Sequence, residues 1–71
     1  MAGWGTDDMV KLVNALGGSL KRHGGNHDLY VVPGLNRPVS IPRHRGDLPT
    51  GTAKAILRQL GLTHDEARKL L

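Results

Sequence analysis

The sequence contains no cysteine and no phenylalanine, and its only tryptophan and tyrosine are Trp4 and Tyr30. Without cysteine, the chain forms no disulfide and offers no thiolate to a metal. Because aromatic side chains are so few, aliphatic residues have to build the core. A chain of 71 residues makes one domain at most, which we expect to span residues 1–71, and a core of this size is marginal.

Long apolar runs are also missing from the sequence. No stretch approaches the roughly 18 consecutive apolar residues that a membrane-spanning helix needs. The N-terminus lacks the basic and apolar regions of a signal peptide. We therefore expect a soluble, cytoplasmic protein without membrane contact.

Positive charge is in excess, with ten lysine and arginine residues against six acidic ones and a formal net charge of +4. A basic balance favours a polyanionic partner such as a nucleic acid, bound less tightly as salt rises. The alternative is a basic surface that is merely solvated.

The pattern of apolar residues predicts a helix, three strands, a second helix and a short third helix. The first helix follows an N-cap at Thr6 and ends before Gly17, and the strands are an edge strand at 19–23 and two further strands at 27–32 and 39–41. The second helix is capped by Thr50 or Thr52 and ends at Gly61. A helical turn or two follows a capping box at Thr63 and Glu66. Hairpin-linked strands form an antiparallel sheet. The predicted fold class is therefore α+β, a two-layer sandwich of a three-stranded sheet and its helices.

The segment from Lys21 to Asp28 concentrates titratable side chains around a Gly24-Gly25 turn, whose glycines are able to adopt positive φ angles. His27 follows this turn at the start of the clearest strand. Histidine is the side chain that changes charge near neutral pH, so this is a plausible place for proton transfer on a phosphate-bearing substrate. If alternation continues along the strand, His27 shares the core side with Leu29 and Val31. The alternative is a strand-end histidine with no chemical role.

Three further histidines have weaker assignments. His23 lies beside the turn, His44 between Arg43 and Arg45 fits a phosphate contact, and His64 within the capping box is structural. No two histidines are four residues apart on a helix, and none has a carboxylate at a fixed spacing. We therefore expect neither a metal site nor a cofactor.

Residues along most of the chain resemble one known family. The resemblance lies in Gly25-Asn26-His27-Asp28 with the strand after it, the Pro33-Gly34 turn, residues 39–44 and residues 51–62. Their order and spacing are similar to those of the HicA toxins of type II toxin–antitoxin systems. The resemblance implies a double-stranded-RNA-binding-domain-like α-β-β-β-α fold, here with a short extra C-terminal helix. It also implies an mRNA interferase that a HicB-type antitoxin neutralises.

In the family, a glycine-serine-histidine motif opens the second strand, and its histidine corresponds to His27. The sequence departs from this motif at Asn26, where serine is common, and at Asp28, where a second histidine often stands. Asn26 can hydrogen-bond a phosphate oxygen but offers no hydroxyl. Asp28 adds negative charge near the expected path of the RNA.

The resulting hypothesis is a metal-independent endoribonuclease with His27 as its proton-transferring residue. We expect mRNA to contact Lys21, Arg22, Gly25, Asn26, Arg43, His44, Lys54 and Arg58. The face of Lys54 and Arg58 could instead dock an acidic patch of the antitoxin. Two other hypotheses stay open: a non-catalytic double-stranded-RNA-binding module of the same fold, and a small DNA-binding domain in which the last two helices form a helix-turn-helix.

Overall fold

A computed structural model describes residues 3–71 of the chain. Its elements are α1 (Thr6–Ala15), β1 (Ser19–His23), β2 (His27–Val31), β3 (Val39–Pro42), α2 (Thr50–Leu60) and α3 (His64–Leu70). The predicted order and the α+β fold class are confirmed. None of these helices within residues 3–71 is long and apolar enough to cross a membrane.

The three strands form an antiparallel sheet in the order β1-β2-β3, with β2 in the centre. Tyr30 of β2 pairs with Val39 of β3, and both side chains are buried against the helices. The helices α1 and α2 both contact β3. We call the opposite side of the sheet, which carries His27 and Val31, the outer face.

One aliphatic core joins the helices to the inner side of the sheet. Its buried residues are Trp4, Met9, Leu12, Val13, Tyr30, Val32, Val39, Ile41, Leu48, Ala53, Ile56, Leu57, Leu60 and Ala67. The predicted apolar stripes of both long helices are therefore confirmed. Leu20 pairs with Tyr30 and so lies on the inner side of the sheet, but it remains exposed on the edge strand β1. Leu70 and Leu71 at the C-terminus are exposed as well.

The helix ends differ in part from the prediction. Thr6 is not the N-cap of α1 but its first residue, and Gly5 takes the cap position, where its N–H donates to Asp8 Oδ2 at 2.9 Å. The Thr6 hydroxyl is used elsewhere, since it donates to the carbonyl oxygen of Pro42 at 2.7 Å. This bond ties the start of α1 to the end of β3.

The other two helices begin differently from each other. Pro49 precedes α2 as its N-cap, so neither threonine that was predicted to cap this helix does so. The capping box of α3 is confirmed, because Thr63 Oγ1 accepts from the Glu66 N–H at 3.1 Å and Glu66 Oε1 accepts from the Thr63 N–H at 2.9 Å.

The Pro33-Gly34 turn between β2 and β3 is a type II turn. Gly34 has a φ of +87°, and the Leu35 N–H donates to the Val32 carbonyl at 3.1 Å. A type II turn needs positive φ at its third position, which glycine adopts without steric cost.

Candidate functional site

His27 opens β2 on the outer face of the sheet, with its side chain exposed. The expectation that His27, Leu29 and Val31 share the core side is wrong. Tyr30 and Val32, which have the other parity, are buried in the core, while Val31 is exposed and Leu29 is half-buried. Because successive side chains of a strand point to opposite faces, His27 is directed away from the helices and toward solvent.

A β-bulge in β1 determines which basic residues share the outer face with His27. Leu20 pairs with Tyr30, but the register then shifts so that Arg22, rather than Lys21, pairs with Leu29. In a bulge of this kind two residues stand against one, so Lys21 and Arg22 together oppose Leu29. Leu29 is on the outer face, and so is Arg22. Without the bulge, Arg22 would oppose Asp28 on the inner side.

The bulge also places His23 opposite Asp28, which forms the centre of an ionic cluster. Arg43 holds the carboxylate with Nη2 at 2.8 Å from Oδ1 and with Nε at 3.1 Å from each oxygen. His23 Nδ1 lies 3.0 Å from Asp28 Oδ1. The Asp28 side chain is only 13% exposed, whereas the His23 side chain is 70% exposed. Asp28 is therefore neutralised locally instead of presenting free negative charge to an RNA.

This cluster changes the acidity of both charged partners. The hydrogen bonds from Arg43 lower the pKa of Asp28 below its ordinary value of 3.8, and His23 adds to the effect. The same hydrogen bonds raise the pKa of Arg43 above its ordinary value. Both shifts favour the ionised pair, as expected for charge-assisted hydrogen bonds.

Arg43 also holds the backbone of the turn that carries His27. Its Nη2 donates to the Gly24 carbonyl at 3.0 Å, and its own N–H donates to the Asn26 carbonyl at 2.9 Å. The Gly24 N–H in turn donates to the His27 carbonyl at 2.8 Å. The residues on both sides of Gly25 are thus fixed, and the Gly24 amide is already engaged within the turn.

The two glycines of this turn have different structural roles, and neither has positive φ. The turn therefore does not use the positive φ angles that its glycines are able to adopt. A Cβ at Gly24 would lie 2.7 Å from the His27 carbonyl oxygen, whereas a Cβ at Gly25 would meet nothing within 4 Å. Gly24 is required by the close approach of the two backbone segments.

Gly24→Ala is expected to destabilise the protein by about 1–3 kcal/mol, the usual cost of forcing extra volume into a tight contact. Gly25→Ala is the matched control, and we expect its stability to stay within about 0.5 kcal/mol of the parent. Urea unfolding of the three proteins measures both values. Equal stability of the two variants would contradict the assigned close contact.

Acid is expected to remove the contribution of Asp28 to stability. The pKa of Asp28 is lower in the folded chain than its ordinary value of 3.8. The pair therefore stabilises the fold above pH 3.8, and this contribution is lost as the pH falls through the lowered folded value. Thermal unfolding from about pH 5 down to pH 1 should show a smaller loss of stability for Asp28→Asn than for the parent. Asp47→Asn removes an exposed carboxylate outside the cluster around Asp28 and serves as the control, which should follow the parent.

The other predicted contact residues fall into two groups. His44 follows β3 and is exposed, and its N–H donates to Thr6 Oγ1 at 3.1 Å. It lies near the end of the sheet where His27 begins, since His27 pairs with Pro42. Lys54 and Arg58 are exposed on α2, in the helix layer. The structure thus brings the hairpin and the end of β3 together, and it places the α2 cations on the other side of the sheet.

One cluster was missed by the sequence analysis, which gave His64 a role only in the capping box. The indole Nε1 of Trp4 lies 3.2 Å from His64 Nδ1, and the two rings meet edge to face with centroids 5.3 Å apart. Arg68 Nε approaches the other ring nitrogen of His64 at 3.1 Å. No local signal predicts this contact, because Trp4 and His64 are 60 positions apart.

Among residues 3–71, no three side chains of histidine, cysteine, aspartate or glutamate are grouped so that they could hold a metal ion. The outer face presents the exposed His27, the neighbouring basic side chains and the backbone of the turn.

These features define a small basic α+β protein whose three-stranded sheet presents an exposed histidine beside an ordered turn. The family model described as HicA toxin of bacterial toxin-antitoxin matches residues 6–62. The chain belongs to this family of HicA toxins. A search of curated proteins gave no match to the chain. Because the toxin of a toxin–antitoxin system is paired with an antitoxin, family membership implies an antitoxin as a partner of this protein.

Proposed function

We propose that the protein is a metal-independent endoribonuclease that cleaves mRNA, and that a HicB-type antitoxin neutralises it. The observation that carries the proposal is the placement of His27, exposed on the outer face with Arg22 on the same face. Membership of the toxin family supports it as well. The basic net charge of +4 favours a polyanionic substrate.

The proposed reaction uses the 2′-hydroxyl of the RNA as its nucleophile. His27 accepts the proton of this hydroxyl, and the 2′ oxygen attacks the adjacent phosphorus. The bond from phosphorus to the 5′ oxygen breaks, which gives a 2′,3′-cyclic phosphate and a 5′-hydroxyl. Lys21 and Arg22 stabilise the negative charge that develops on the phosphoryl oxygens.

The leaving 5′ oxygen also needs a proton, and His27 cannot give it while it is taking one from the 2′-hydroxyl. His23 is poorly placed for this role, because it pairs with Asp28 on the inner side of the sheet. We propose that water supplies the proton, since His27 is open to solvent, and that the hydroxide formed takes back the proton that His27 accepted.

The proposed RNA path continues from this histidine over the turn and the end of β3. Asn26 and Gly25 are exposed at the tip of the turn, and His44 is exposed in the loop that follows β3. Gly25 offers close approach because nothing lies within 4 Å of the position of its absent Cβ. Asn26 offers a side-chain amide to a phosphate oxygen.

The test is incubation of the purified protein with a long single-stranded RNA in the presence of EDTA. The proposal expects fragments that end in a 2′,3′-cyclic phosphate and begin with a 5′-hydroxyl. Addition of the cognate antitoxin should abolish the cleavage. Salt-sensitive RNA binding without any cleavage would favour a non-catalytic RNA-binding module and would overturn the proposed enzyme.

A further inference from the structure

A small cleft lies on the helix layer, between Gly3-Trp4, helix α2 and the start of α3. Its volume is about 220 Å³. Apolar side chains line most of the cleft, namely those of Trp4, Leu48, Ala53 and Leu57. Thr50, Lys54 and His64 add polar groups. Sites for drug-sized ligands typically measure about 300–1,000 Å³, so this cleft suits a single ring system.

A shallower groove runs on from the cleft along the surface between α2 and α3. Lys54, Leu57 and His64 line both depressions, and the groove adds Arg58 and Leu62. The cleft and the groove together therefore offer an apolar space beside a strip of positive charge. We call them the α2–α3 site.

The cations of the α2–α3 site have no acidic partner among the described residues. The salt bridges found within residues 3–71 both involve Asp28, on the hairpin side of the molecule. No aspartate or glutamate lines the cleft or the groove. Lys54 and Arg58 are exposed one helical turn apart and present their charge in the same direction. This arrangement favours an anionic ligand.

The hydrogen bonding around His64 indicates the same preference. Trp4 Nε1 and Arg68 Nε are both donors, and they approach the two ring nitrogens of His64 at 3.2 and 3.1 Å. A neutral imidazole has one acceptor nitrogen only, so it satisfies one of these two donors. The neighbours of His64 beside the cleft are therefore hydrogen-bond donors, and Arg68 adds a further exposed positive charge near the site.

We propose that the α2–α3 site binds one unstacked nucleotide of a single-stranded RNA. The base occupies the cleft lined by Trp4 and Leu57, and the phosphate lies on Lys54 and Arg58. A free anion would make no use of the apolar walls. A base within a duplex is not splayed out, whereas single-stranded RNA presents unstacked bases to protein surfaces. The proposal rests on the proposed function, because it takes RNA as the ligand. It adds that the part of the RNA bound at the α2–α3 site is single-stranded.

The site lies at the same end of the molecule as His27, on the opposite side of the sheet. His27 pairs with Pro42, the Pro42 carbonyl accepts from Thr6, and Trp4 precedes Thr6 by two residues. The principal dimensions of the chain are 31 × 25 × 17 Å. One RNA strand can therefore pass around the edge of the sheet from His27 to the cleft. Small single-strand-binding domains cover about 4–16 nucleotides in a comparable way.

Trp4 makes the proposal directly measurable, because it is the only tryptophan of the chain. The experiment titrates the full protein with adenosine monophosphate, ribose 5-phosphate, inorganic phosphate and a short single-stranded RNA. It follows both Trp4 fluorescence and the NMR signal of the Trp4 indole N–H. We expect a saturable change with the nucleotide and the RNA, and much weaker binding of the two compounds that lack a base.

Lys54→Ala is expected to weaken nucleotide binding about tenfold, because it removes a charged hydrogen-bond donor to the phosphate. It should also reduce the salt dependence of RNA binding by about one counterion. Lys11→Ala removes the same charge from an exposed position of α1 and is the matched control, with unchanged affinity expected. Circular dichroism confirms that both variants are folded.

Three results would overturn the proposal. The first is equal binding of inorganic phosphate and the nucleotide, which would define an anion site only. The second is RNA binding that leaves both Trp4 signals unchanged, or that is as tight for a duplex as for a single strand. The third is a Trp4 response to the antitoxin but not to RNA, which would make the site a protein interface.

Failure of this inference can be distinguished from failure of the proposed function. Cleavage of RNA without a Trp4 response would reject the nucleotide site alone, and nucleotide binding without any cleavage would reject the proposed enzyme alone.

Discussion

Replacing His27 with alanine is expected to lower the rate of RNA cleavage by about 10²–10⁴-fold, the usual contribution of one general acid–base residue. Within residues 3–71, His27 is the exposed histidine that a strand presents on the outer face, and a histidine side chain is suited to proton transfer near neutral pH. The measurement is the initial cleavage rate at saturating RNA, with product ends analysed for the cyclic phosphate. Full activity of His27→Ala would move the chemistry to another residue.

The stability of His27→Ala shows whether a lost rate reflects chemistry or unfolding. The side chain is exposed, so its removal should change the free energy of unfolding by no more than about 0.5 kcal/mol. His23→Ala is the matched histidine variant, because its ring contacts Asp28 on the inner side of the sheet. We expect its rate to fall by less than tenfold. A larger loss in His23→Ala than in His27→Ala would reverse the assigned roles.

The layout of the fold could be predicted from the sequence because each helix has its own apolar period. Met9, Leu12 and Val13 recur at helical spacing, and so do Ile56 and Leu60. The central strand is different, since Leu29, Tyr30, Val31 and Val32 are all apolar and neither parity is marked as the inner one. The partners on β3 decide the question: Val39 and Ile41 are buried, and Tyr30 pairs with Val39.

The arrangement of the candidate site depends on contacts that local sequence does not encode. The bulge that moves Arg22 to the outer face of the sheet is a property of strand pairing, and no glycine marks it. Arg43 and Asp28 are 15 positions apart, so their pairing follows from the register of β2 and β3. The presence of a histidine beside a glycine turn could be predicted, but its direction and the residues that contact the turn could not.

Arg43→Ala is expected to lower kcat by up to about 10²-fold, with a much smaller change in KM. In the structure the guanidinium is bonded to Asp28 and to the Gly24 carbonyl, so its main role is to fix the turn before His27. We expect its loss to displace His27 relative to the scissile phosphate of the proposed reaction, without removing a contact to the RNA. We therefore assign Arg43 as a positioning residue, although the sequence alone predicts an RNA contact.

The dependence of RNA binding on salt separates these two roles of Arg43. A phosphate contact contributes about one released counterion, so its removal would reduce the slope of binding affinity against salt by about one and would raise KM. If Arg43 is a positioning residue, the slope of binding affinity against salt stays unchanged in Arg43→Ala while kcat falls.

Arg43→Lys keeps the positive charge near Asp28 but loses the planar group that makes several hydrogen bonds, so it should recover only part of kcat. Arg45→Ala is the control, since Arg45 is an exposed neighbour outside the cluster around Asp28. A reduced salt slope with an unchanged kcat for Arg43→Ala would contradict the assigned positioning role. It would mean that the guanidinium leaves Asp28 to bind the RNA, and that the turn before His27 keeps its shape without it.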